Sequence, residues 1–76
     1  MTTLGRVGFA ASCREAITAV LDAIEAVGTE RQGRFTEAKL AVDRALREAQ
    51  RSEEWYLADS LRRGIKDVEA RAQDAA

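Results

Sequence analysis

The chain has no proline and no histidine, a single cysteine, and two Phe, one Trp and one Tyr as its whole aromatic content. Without proline, none of its 76 residues is barred from a helix interior by a fixed ring and a missing N–H. Without histidine, neither the usual zinc ligand sets nor the glutamate–histidine sites of helical bundles can be assembled, so no metal and no cofactor is expected. Cys13 alone cannot close an internal disulfide. Neither sign of charge dominates: 12 basic against 13 acidic residues leave a net charge of -1, which gives no global field to recruit nucleic acid or an anionic membrane. Long hydrophobic runs are missing too. The apolar stretch before Cys13 is short, and Arg14 and Glu15 break it, so no membrane span is expected and cytoplasmic residence is the default.

What remains is 46% hydrophobic and 33% charged, rich in Ala, Arg, Glu and Leu, which is the balance of a helical protein. An all-α fold is expected. The abundance of Ala and Arg also fits a high-GC bacterial or phage genome. The small residues Ala10, Ala11 and Ser12 ahead of Cys13 have the look of a lipoprotein signal, but the apolar core before them is too short for one.

Residues 1–11 show no periodicity and read as a loose arm, with residues 12–76 as one helical domain. Ser12 and Glu15 have the spacing of a capping box, in which each side chain satisfies a free backbone donor of a helix start. A first helix over about 13–27 follows, with Cys13, Ile17, Val20, Ile24 and Val27 as its inward face, Leu21 widening it and Gly28 ending it. A second is expected over about 34–51, burying Phe35, Ala38, Val42, Ala45, Leu46 and Ala49, although Thr29 and Gln32 form a weak capping box that could start it earlier. Lys39 with Asp43, Asp43 with Arg47 and Arg44 with Glu48 are spaced to pair along its outside. Ser52 reads as the cap of a third helix over about 53–73, whose seam is Trp55, Ala58, Leu61, Ile65, Val68 and Ala72. Asp59 with Arg63 and Asp67 with Arg71 decorate it. The expected architecture is a three-helix antiparallel bundle built on the hairpin of the second and third helices.

Two carboxylate pairs, Asp22 with Glu25 and Glu53 with Glu54, fall on solvated faces, where acid–base work is not supported. Cys13 stands in phase with Ile17 and Val20 and has no histidine to act as its base, so it reads as a small core residue rather than a nucleophile. No enzymatic activity is expected. Arg44, Arg47 and Arg51 share a stripe of the second helix, and Arg62, Arg63 and Lys66 cluster on the third, so a small nucleic-acid-binding regulator is the rival reading. Acidic residues interrupt both stripes, and no aromatic residues alternate with them.

A chain this short buries only about 60% of its unfolded surface, and faces rich in alanine bury little area each. Self-association is the expected remedy. Leu40, Tyr56 and Leu57 fall off the seams and are the expected partner-binding residues, with Trp55 in the hairpin core. The expected function is a protein–protein interaction module, an adaptor or regulatory subunit that binds a protein partner or its own copy.

Ala49, Trp55, Ala58, Leu61, Arg62, Ile65, Val68 and Glu69 fall at the spacing of the UVR motif, so residues 49–69 resemble the UVR-type helical hairpin of the bacterial excision-repair proteins UvrB and UvrC and of some Clp protease partners. That resemblance implies a helical hairpin that pairs with another, hence association rather than catalysis. Arg63 stands where the family has Asp, and Tyr56 where it has an acidic residue. The string Ala58-Asp59-Ser60-Leu61-Arg62 is also similar to a plain helix near the C-terminal end of cysteinyl-tRNA synthetases.

Overall fold

Three helices account for nearly all of the described chain: α1 (Phe9–Glu25), α2 (Gly28–Glu48) and α3 (Ser52–Ala75). The structure is a computed structural model and describes residues 8–75. The protein is an all-α bundle in which α1 and α2 run antiparallel, α2 and α3 run antiparallel, and α1 also meets α3. Its Cα extents of 46 × 24 × 13 Å leave room for only two layers of helix in the thin direction.

The helix starts depart from the capping signals. Residues 1–7 of the expected arm lie outside the described residues, and α1 begins at Phe9, with the Ser12 amide bonded to the Gly8 carbonyl at 3.0 Å. Ser12 is therefore not a cap. It is fully buried one turn inside α1, and its hydroxyl donates to Glu48 on α2 at 2.6 Å. The chain reverses through extended Ala26 and Val27 to Gly28, whose φ of 63° is the one positive value among the described residues. A side chain there would be strained, so glycine is required. Arg31 Nε donates to the Ala26 carbonyl at 3.0 Å and finishes the end of α1.

Starting at Gly28 rather than near Arg34, α2 takes in the Thr29–Gln32 segment and holds Gly33 in its interior. A helical glycine costs about 1 kcal/mol relative to alanine. The ion pairs of Arg34 with Glu30 at 3.6 Å and with Glu37 at 3.3 Å, and the burial of Phe35, offset that cost. The turn to α3 is short. It is closed by the Gln50 N–H donating to the Glu54 carboxylate at 2.9 Å and by Trp55 N–H bonding to the Arg51 carbonyl at 3.0 Å.

The core is made largely of alanine. Ala16, Ala19 and Ala23 on α1 and Ala38, Ala41 and Ala45 on α2 are buried, each set at steps of three and four, around Phe35, Val42 and Ile65. Two such ladders let the backbones of α1 and α2 approach closely, so contact comes from helix surfaces rather than from long side chains. This overturns the expected inward face of α1. Ile17, Leu21 and Ile24 are 46%, 57% and 51% exposed, Val27 is exposed and Val20 is half-buried, while Cys13 alone of that set is buried. Helix α3 follows its expected seam at Ala58, Leu61, Ile65, Val68 and Ala72, but Trp55 is 45% exposed and does not enter the hairpin core.

Candidate functional site

A polar chain fixes the register of α1 on α2. Arg44 Nε donates to the Ser12 hydroxyl at 3.2 Å, the Ser12 hydroxyl in turn donates to Glu48, and the far end of Arg44 pairs with Glu15. Lys39 reaches across to Glu69 on α3 at 3.0 Å. Lys39 and Arg44 thus bind other helices instead of their neighbours four residues on. On α3 the local pairs form as their spacing predicts, with Asp67 and Arg71 3.0 Å apart and Asp59 3.1 Å from Arg63.

Asp59 is roofed by Arg62 and Arg63 of its own helix, both of which pair with it. The hydrogen bond from Arg62 holds its carboxyl below the usual carboxylate range, with Arg63 adding to the effect. A group whose folded pKa is depressed stabilises the fold fully above its unfolded value, near pH 4, and loses that contribution as the pH falls through the folded value. Asp59→Asn is therefore expected to flatten the loss of stability below about pH 4, measured by urea unfolding across pH, and an unchanged acid limb would contradict this pairing.

Of the six basic residues in the two stripes, Arg44, Arg51, Arg62 and Arg63 are engaged with carboxylates, Arg51 with Glu54 at 3.7 Å. Arg47 and Lys66 have no ion-pair partner among the described residues. The sites expected to meet a partner are exposed but separate. Leu40 lines a charged groove between α1 and α2 with Arg14, Glu15, Asp22, Glu37 and Arg44. Tyr56 packs edge-on against Trp55, with ring centres 5.5 Å apart. Leu57 lies at steps of four, three and four from Leu61, Gly64 and Val68, and so belongs to the α3 edge beside α1.

That edge borders an apolar groove. Ile17, Val20 and Leu21 of α1 and Leu61, Gly64, Ile65 and Val68 of α3 line this shallow groove, with no polar side chain among them. Exposed Ile24 and Leu57 prolong it in opposite directions. The spacing of Ile17, Leu21 and Ile24 was visible in the sequence; their direction was not.

Cys13 lies buried near Ala45 and Ala58, and burial, with Glu54 and Glu48 nearby, pushes its thiol up. It is held as a thiol at neutral pH. No group of three or more His, Cys, Asp or Glu side chains among the described residues is placed to hold a metal ion, and no described helix is long and apolar enough to cross a membrane. No family model matches the chain, and neither a curated protein nor a solved structure matches it significantly.

Proposed function

We propose that this chain is a non-enzymatic protein–protein interaction module, an adaptor or regulatory subunit acting by helix-to-helix packing, with the α1–α3 groove and its apolar margins as the docking face. The observation that carries this reading is the inversion of α1: alanines fill the core while Ile17, Leu21 and Ile24 stand in solvent. Contiguous apolar surface of this kind favours burial against a partner, because large side chains left in water forfeit about 25 cal/mol per Å². The UVR-like spacing of residues 49–69 points the same way, and the pairing of four of the six basic residues of the two stripes with carboxylates favours a protein over a nucleic acid. The cytoplasm is the proposed compartment, consistent with a free thiol at Cys13.

A photo-crosslinking residue placed at position 21, in cells that express the chain, is expected to give protein adducts that the same residue at exposed position 43 does not. Adducts no more abundant at 21 than at 43 would overturn the docking face.

A further inference from the structure

Resting on that reading, we infer that the occupant of the α1–α3 face is a second copy of this chain, docked with the two α1 helices antiparallel about a two-fold axis level with Gly64. Arg14, Ile17, Leu21 and Glu25 follow one another at steps of three, four and four, so a cation and an anion flank the apolar stripe of α1 on its side away from α3, one towards each end. Arg14 and Glu25 are both exposed, and neither has an ion-pair partner among the described residues. They lie about 16 Å apart along the helix, too far to pair with each other.

An antiparallel copy removes that separation. Centred between Ala19 and Val20, it sets each Arg14 beside Glu25 of the other copy, twice per dimer, and brings each Ile17 within one residue of Leu21 of the other copy, a pair whose own centre falls at Ala19. The charge pattern and the apolar pattern thus centre within half a residue of each other, close enough for one self-complementary two-fold contact.

Gly64 marks the same level independently. It sits inside α3, where glycine weakens a helix, yet its φ is not positive and a Cβ built on it meets nothing within 4 Å. Neither a turn nor a neighbour within the chain accounts for it. It lies in the groove wall across from Ile17, Val20 and Leu21, where the α1 helix of the other copy would come nearest. A missing side chain there permits close approach of the backbones.

Sedimentation of the 76-residue chain over a hundredfold range of concentration tests this, with circular dichroism to confirm that each variant is folded. The wild type is expected to dimerise, and Arg14→Glu or Glu25→Arg alone to weaken the dimer about tenfold. An equimolar mixture of the two variants is expected to recover wild-type affinity as a heterodimer. Gly64→Ala should raise resistance to urea at a dilution where the chain is monomeric, yet weaken the dimer, whereas Gly33→Ala, with equally open space, should raise resistance alone. A wild-type monomer throughout, or no recovery on mixing, would overturn the inference. A monomer that still crosslinks from position 21 to a different protein overturns the second copy and keeps the docking face, whereas a monomer without such adducts removes both. A groove that admits a hydrophobic dye only after removal of residues 1–7 assigns it to that segment and also overturns the inference.

Discussion

Replacing Phe35 with alanine is expected to destabilise the fold by about 3 to 5 kcal/mol. Phe35 is 1% exposed and is the one fully buried aromatic side chain among the described residues. The buried residues of its cluster are Ala16, Ala19, Ala23, Ala38, Ala41, Val42 and Ile65, with the partly buried Val20, Leu61, Val68 and Ala72 packed against them. Most of these neighbours are alanines on helices, with no rotamers to turn into a vacancy, so the cavity left by the ring would stay open. A domain of this size has on the order of 5 kcal/mol of stability in total, so most of it would be lost. Urea unfolding followed by circular dichroism measures the effect, and a loss below about 1 kcal/mol would mean that Phe35 does not hold this core together.

The existence of three helices was legible because each segment repeats its apolar residues at steps of three and four. Which face turns inward was legible for α2 and for most of α3, where only one face is apolar. On α1 two faces carry that rhythm: Cys13, Ile17, Val20 and Ile24 on one side, Ser12, Ala16, Ala19 and Ala23 on the other. Ranking them by hydrophobicity selects the first. The fold selects the second, because the Ala38, Ala41 and Ala45 ladder of α2 offers a matching flat surface, and two flat ladders pack more closely than an isoleucine ridge against alanine. The signal lay in the match between two segments and not in either one alone.

Other departures have the same origin. Ser12 has the spacing of a cap, but a hydroxyl that can reach Glu48 and Arg44 on α2 gains more inside the helix. Trp55 continues the α3 seam by one turn, yet it lies at the end of the helix beside Tyr56, where it remains half in water. Of the expected partner-binding residues, Leu57 borders the apolar groove, while Leu40 and Tyr56 stand on other flanks. Gly64 interrupts the α3 pattern, and nothing within the chain approaches it.

The inversion of α1 makes opposite demands on two adjacent residues. Ala16 has no exposed surface and faces the alanine ladder, so Ala16→Asp would bury a carboxylate with no designed partner, at a cost of about 3 to 5 kcal/mol. Ile17 is nearly half exposed on the outer stripe, so Ile17→Asp places its charge in water and should change monomer stability by about 1 kcal/mol or less. Both variants introduce the same residue one position apart, so helix propensity largely cancels between them. Urea unfolding of the two, at a dilution where any self-association is absent, is the most direct test. The expected result is loss of the cooperative transition in Ala16→Asp with a near wild-type transition in Ile17→Asp; the reverse order would place the isoleucine stripe in the core and contradict the docking face.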